Sequence, residues 1–220
     1  MLIKGIIFDL DGVLVSTDEC HYQAWKCLAD AENIYFDRGV NHRLRGVGRM
    51  DSLNIILEQS HKQYAHEQRL ELAAKKNSIY RELINELTPK SILPGASEIL
   101  HKLKVLKLKT AIASSSKNAK LILDKTKLWQ NIDLVVDGND IIKSKPDPEI
   151  FLLTAQRLNL KPCECIVVED APSGIEAAMN AGMKYLAIGP AELFPAAKYH
   201  FSDLTNLPID ILTGVCPSNC

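Results

Sequence analysis

The chain has 220 residues, 46% of them hydrophobic, with 26 Lys plus Arg against 27 Asp plus Glu and a net charge of -1. That balance suits a globular chain long enough for one full domain and a smaller companion, and it excludes a disordered one. There is no basic block to bind nucleic acid, and the apolar start, broken by Lys4, Asp9 and Asp11, is too short for a membrane span and lacks a signal-peptide cleavage region, so a cytoplasmic protein is expected.

Residues 3–8 read as a buried strand, short, apolar and rich in Ile, with loop chemistry at Asp11-Gly12 directly after it. From Thr17 to about Leu93 no strand-like run occurs. Apolar residues there recur at helical spacing, as in DSLNIILEQ and RLELAAKKNSIYRELI, and Ser16 with Glu19 has the form of a capping box opening the first helix. Pro94-Gly95 marks the return, followed by a helical pattern over 96–106. Three more strand-like runs follow at 108–116, 164–170 and 184–189, with a helical pattern over 148–159 between two of them. Strands alternating with helices predict an α/β fold, a Rossmann-like parallel sheet core with an all-helical cap inserted after the first strand. The expected division is 1–16 and 94–220 for the core and 17–93 for the cap.

In an open parallel sheet, ligands bind beyond the carboxyl ends of the strands. Asp9 and Asp11 follow the first strand, Ser114-Ser115-Ser116 the second, and Glu169-Asp170 the third, with Lys145 in an intervening loop. Two carboxylates one residue apart are costly to bury without compensation. Magnesium, which takes oxygen ligands, removes that objection. Serine hydroxyls at a helix start suit phosphate oxygens, and Lys145 adds a compact positive charge. Together they point to magnesium-assisted phosphoryl transfer, with one aspartate as nucleophile and the other moving a proton. Plainer readings stand beside this one. An Asp-Gly pair is common in turns, three serines can simply cap a helix, and Trp25 at helical spacing suits a core. His21 can be a surface residue, and Arg49 and Lys76 solvated charges.

The ordered motifs Asp9-Leu10-Asp11-Gly12-Val13, Ser114, Lys145 and Glu169-Asp170 resemble those of the haloacid dehalogenase superfamily. The resemblance implies Asp9 as nucleophile and metal ligand, Asp11 as acid/base with its carbonyl on the metal, Ser114 and Lys145 as catalytic partners, and Glu169 and Asp170 completing a Mg²⁺ site. The helical insertion is similar to the cap of the β-phosphoglucomutase family, through HYQAW with His21 and Trp25, the loop RGVGRMDSL from Arg45 to Leu53, Lys76-Asn77, and SSSKN from Ser114 to Asn118. That likeness implies interconversion of β-D-glucose 1-phosphate and glucose 6-phosphate through a bisphosphate. The substrate residues it implies are Thr17, His21 and Trp25, then Gly46, Val47, Arg49, Ser52 and Lys76 in the cap, and Ser115, Ser116, Lys117 and Asn118 on the core. Two positions depart from the family pattern, Ser16 where an acidic residue is common and Gly48 where a serine is.

A sugar-phosphate phosphatase shares the aspartyl-phosphate step and is the alternative; a non-catalytic phosphosugar-binding protein is disfavoured because every catalytic position is filled. The expected partner is a small sugar phosphate, with no nucleic acid and no membrane, and the expected state is a monomer. Cys20, Cys27, Cys163 and Cys165 read as free thiols. The Cys216–Cys220 tail lacks the second ligand pair that a structural zinc site needs.

Overall fold

A computed structural model of the protein describes residues 2–195, 197 and 199–213. Its sheet contains β1 (Gly5–Phe8), β2 (Lys109–Ala113), β3 (Leu134–Val136), β4 (Cys165–Glu169), β5 (Lys184–Ile188) and β6 (His200–Phe201). All neighbours pair in parallel, in the order β3-β2-β1-β4-β5-β6. Five α-helices separate β1 from β2: α1 (Asp18–Glu32), α2 (Arg38–His42), α3 (Arg49–Leu57) and α4 (His66–Ile84) of the helical segment, then α5 (Ala96–Val105). After β2 come α6 (Ala119–Thr126), α7 (Glu149–Arg157), α8 (Pro172–Asn180) and α9 (Ile209–Thr213). The α/β architecture with a helical segment after the first strand is the one expected.

Period-2 alternation explains why the strands are apolar throughout. Ile6 and Phe8 turn to one face with Ile112, Val168 and Leu186, where Ile99, Leu103, Ile122 and Leu123 of α5 and α6 cover them. Ile7 turns to the other with Ala111, Ala113 and Val167, under Ile150 and Phe151 of α7 and Ala177 and Ala178 of α8. Each such aliphatic or aromatic side chain contributes about 1.5–3 kcal/mol by leaving water.

The helical segment has its own cluster, Trp25, Leu28, Leu53, Ile56, Leu72 and Ala73. Helix α4 belongs to both layers, because Tyr80 and Ile84 at its far end pack into the sheet-side core. The chain leaves and re-enters the sheet layer through two short paired segments. Val15 faces Ile92 in an antiparallel bridge, flanked by bonds from Ser16 N–H to Ser91 O and from Leu93 N–H to Leu14 O, both 2.9 Å.

Three local readings are corrected. Thr17, not Ser16, is the residue before α1; no side chain caps that helix, and Glu19 pairs with Arg38 at 3.0 Å instead of folding back. Asn118 precedes α6, so the serine run lies just outside the helix. Arg49, read as part of a loop, is the first residue of α3. Cys20, Cys27, Cys163 and Cys165 are free as expected, and the Cys216–Cys220 tail lies outside the described residues.

Candidate active site

Asp9 continues the β1 ladder by one bond, its N–H donating to Val168 O at 2.9 Å, which puts its carboxylate at the carboxyl edge of the sheet. Leu10 is wholly buried, while Asp9 and Asp11 both open onto one cavity of about 460 Å³. The turn after them needs a glycine. Gly12 has φ +86°, and a Cβ there would lie 2.2 Å from Asp170 Oδ2.

Lys145 is buried beneath the aspartates. Its ammonium donates to Asp9 Oδ1 at 2.5 Å, Glu169 Oε2 at 3.0 Å and the Ala113 carbonyl at 3.1 Å. Burial opposes its charge, but the carboxylates of Asp9 and Glu169 outweigh that and hold its pKa above the usual lysine value. Glu169 is pushed up to about 8, by burial first and then by Asp9, against the pull of Lys145. Asp170 is raised well above the carboxylate range by burial and by the charges of Glu169 and Asp9. Oxygens of Asp9, Glu169 and Asp170 all lie within 4.8 Å of one another. Three buried acids face Lys145 and, at Asp170, Arg45, which leaves part of the negative charge uncompensated, and a hard divalent cation fits an all-oxygen set of this kind.

Asp11 is held differently. It accepts bonds from the Thr17 hydroxyl and, at 3.2 Å, from Ser114 Oγ. Burial and the neighbouring Asp9 charge lift its pKa to about 6, against the lowering effect of those two hydroxyls. Thr17, expected to touch substrate, is fully buried and absent from the cavity wall. Its short bond to Asp11 accounts for that.

Across the cavity stands a second cluster, from α1, α3 and α4. Lys76 is 2% exposed, its ammonium 4.7 Å from the Trp25 ring centroid, 4.3 Å from that of Tyr80 and 3.1 Å from His21 Nδ1. Burial and the charge of Arg49 lower its pKa to about 7. Burial, Lys76 and Arg49 push His21 well down, and burial lowers Arg49. Among the described residues no carboxylate pairs with Lys76 or Arg49. Gly46, Val47 and Ser52 line the cavity on this side, and Ser115, Ser116, Lys117 and Asn118 line it from the sheet side. Glu169 and Lys145 lie behind the wall.

The two layers meet around this cavity. Ser115 Oγ donates to Gly46 O and Ser173 Oγ to Arg45 O, each at 3.1 Å, and Asn118 Nδ2 donates to Asn77 Oδ1 at 2.9 Å. Arg45 bonds Asp18 and reaches Asp170 Oδ2 at 3.1 Å. Arg45, Asn77 and Tyr80 were not singled out as site residues from the sequence. The partners of Arg45 and Asn77 lie far along the chain, so no local spacing marks them, and Tyr80 meets Lys76 one helical turn away but His21 only after folding.

Residues 3–182 match the family described as haloacid dehalogenase-like hydrolase. A β-phosphoglucomutase of Bacillus subtilis is 38% identical over 212 residues, 96% of this chain and 94% of that one. A phosphorylated carbohydrates phosphatase of Thermotoga maritima is 31% identical over 192 residues, 83% of each chain. Among solved structures, a β-phosphoglucomutase from Clostridium difficile superposes with a TM-score of 0.92 at 36% identity, covering 96% of both chains.

Proposed function

The chain belongs to the haloacid dehalogenase-like hydrolase family, and from that premise we propose that it is a phosphomutase, interconverting β-D-glucose 1-phosphate and glucose 6-phosphate through an aspartyl phosphate and β-glucose 1,6-bisphosphate. The observation that carries this reading is the pair Lys76 and Arg49. They are two cations drawn down in pKa, without a carboxylate partner among the described residues, across a 460 Å³ cavity from the nucleophile. A phosphatase needs to hold one phosphate. A mutase must also hold a second one away from the reacting carbon, and an arginine at a helix start is suited to that.

In one half-reaction an Asp9 carboxylate oxygen forms the bond to the C1 phosphorus of β-glucose 1,6-bisphosphate while the phosphorus–sugar oxygen bond breaks, and Asp11 gives its proton to the departing sugar oxygen, releasing glucose 6-phosphate. In the other half Asp11 takes the proton from the 6-hydroxyl of β-glucose 1-phosphate, whose oxygen attacks the phosphoryl group, forming the bisphosphate and freeing Asp9. A group with a pKa near 6 serves both directions near neutral pH. Lys145 fixes the Asp9 carboxylate in place, and Ser114 orients Asp11. Asp9, Glu169 and Asp170 would hold Mg²⁺, with the Asp11 carbonyl; when bound, the ion neutralises charge on the transferring phosphoryl group. Residues 17–93 act as the specificity cap, and the cap excludes water so that a hydroxyl competes for the acyl phosphate. The working unit is a monomer.

A sugar-phosphate phosphatase is the second reading, favoured by the likeness to the Thermotoga maritima enzyme. The test is Arg49→Ala, assayed in a coupled reaction on β-glucose 1-phosphate with bisphosphate primer and, separately, for acetyl phosphate hydrolysis. Removing a charge-assisted contact worth about 1.5–3 kcal/mol lowers mutase turnover about tenfold to 150-fold and leaves hydrolysis of the small donor little changed. Parallel losses overturn the mutase reading.

A further inference from the structure

We propose that the seating of residues 45–49 against the sheet layer is set by a contact between Gly48 and Ser144 with room for only one side chain, and that residue 48 thereby governs how the phosphoryl group is divided between sugar and water. A Cβ built on Gly48 would fall 1.9 Å from Ser144 Oγ and 2.9 Å from Ser144 Cβ. Turning the serine hydroxyl aside removes the first clash and leaves the second, because the Cβ moves only with the backbone. Gly48 has an ordinary extended backbone, φ -65° and ψ 156°, so its lack of a side chain is demanded by this neighbour and not by the turn.

Neither side of the contact can easily give. On the sheet side Ser144 precedes Lys145, whose ammonium is held by Asp9, Glu169 and the Ala113 carbonyl, and the Ser144 carbonyl accepts from Asp147 N–H at 3.0 Å. On the cap side the Gly48 carbonyl accepts from Ser52 N–H at 2.8 Å in the first turn of α3, and the preceding residues are docked through Gly46 O and Arg45 O. The soft degree of freedom is the seam itself. An added methyl pushes residues 45–49 away from the sheet layer, stretching the bonds from Ser115 and Ser173, and carries Arg49 with them. The contact thus joins the residue before the distal-phosphate cation to the residue before the nucleophile's lysine. The geometric half of the proposal stands alone; the partition half rests on the mutase reading.

The experiment compares the full-length protein with Gly48→Ala, Ser144→Gly and the double variant. Amide hydrogen exchange across 45–49 and 114–118 is read without ligand. The ratio of glucose 6-phosphate to inorganic phosphate is read from β-glucose 1-phosphate with Mg²⁺ and bisphosphate primer. In Gly48→Ala the exchange rises and the ratio falls by about fivefold to 150-fold, the factor to which an overpacking cost of ~1–3 kcal/mol converts. The double variant returns to the values of Ser144→Gly. Wild-type exchange in Gly48→Ala, or a double variant no better than the single, overturns the contact. A faster exchange with an unchanged product ratio overturns the partition. If Gly48→Ala does not fold, a folded double variant supports the contact and an unfolded one overturns it. A wild-type protein that forms no glucose 6-phosphate defeats the mutase reading, while the exchange comparison still judges the contact.

Discussion

Lys145 and Lys76 are both buried ammonium groups on opposite sides of one cavity, yet their protons are held in opposite directions. Lys145 sits among carboxylates of the same protein, and its charge is supported from within. Lys76 sits on the rings of Trp25 and Tyr80, beside Arg49, and its charge is opposed by burial and by a like neighbour. The difference separates two kinds of site. Around Lys145 the protein compensates most of its own charge, which keeps the reacting groups fixed before any ligand arrives. Around Lys76 and Arg49 no carboxylate among the described residues supplies compensation, an arrangement suited to recognising an incoming anion. Four measurements test that division, in descending size of effect.

Asp9→Asn removes the nucleophile and leaves Lys145 paired with Glu169. Turnover is expected to fall roughly ten-thousandfold or more, the scale of losing a covalent nucleophile, and intact mass after incubation with a phosphoryl donor should show no added phosphoryl group. Retained turnover would remove the chemistry from the Lys145 side. Lys145→Met leaves Asp9 and Glu169 without their cation and is expected to lower folding stability by ~3–5 kcal/mol, measured by denaturant melts, while Lys76→Met, which removes an uncompensated charge, is neutral or stabilising. Equal losses in the two variants would erase the contrast between the lysines.

The third measurement is proton uptake. With a pKa near 7, Lys76 is charged below that pH and roughly nine-tenths neutral at pH 8. Burial and then Arg49 discourage its charge, and Asp11 and Cys20 encourage it only weakly. A bound phosphate raises the pKa, so β-glucose 1,6-bisphosphate should bind with uptake of nearly one proton at pH 8, and its affinity should fall by up to tenfold per unit as pH rises above 7. Calorimetry in buffers of different ionisation enthalpy reads this directly. Lys76→Met should abolish the uptake, and uptake persisting in that variant would assign it elsewhere. The smallest effect belongs to Thr17→Val. The hydroxyl bond to Asp11 stabilises its ionised form, so losing it moves the acid limb of the pH–rate profile to higher pH and costs about 0.5–1.5 kcal/mol of stability. An acid limb that stays in place would show that Thr17 does not tune Asp11.

Asp9, Ser114 and Asp170 were legible in the sequence because each lies within two residues of a strand end, where local pattern and chemistry coincide. Lys145, in the loop between β3 and α7, was legible only through its order among the other motifs. β3 and β6 escaped because Leu134–Val136 and His200–Phe201 are too short for an alternation to register, and their strand character comes from pairing with Ala111–Ala113 and Ala187–Ile188. Arg45 escaped because its meaning depends on Asp170, a contact made only after folding. Thr17 was read as facing substrate, whereas the turn that ends β1 brings it back onto Asp11. Ser144 carried no signal of its own. What it excludes at Gly48 is a matter of distance between two layers, and distance is not written in either residue.

The paired segments at Val15 and Ile92 give the helical layer a single doorway. Both ends of the insertion are already side by side, so the sheet does not register how long the insertion is. Changing its length alters the loop-closure term by only about 0.6 kcal/mol per doubling, and the ladder bonds at Leu14 and Ser91 persist whatever lies between them. What ties the segment from 17 to 90 to the sheet beyond its length is the apolar pair Tyr80 and Ile84 of α4, packed in the sheet-side core. A foreign helical insertion spliced at the same two points should leave Asp9, Lys145 and Glu169 in their places if it supplies an apolar pair of that kind, and should shift them if it does not.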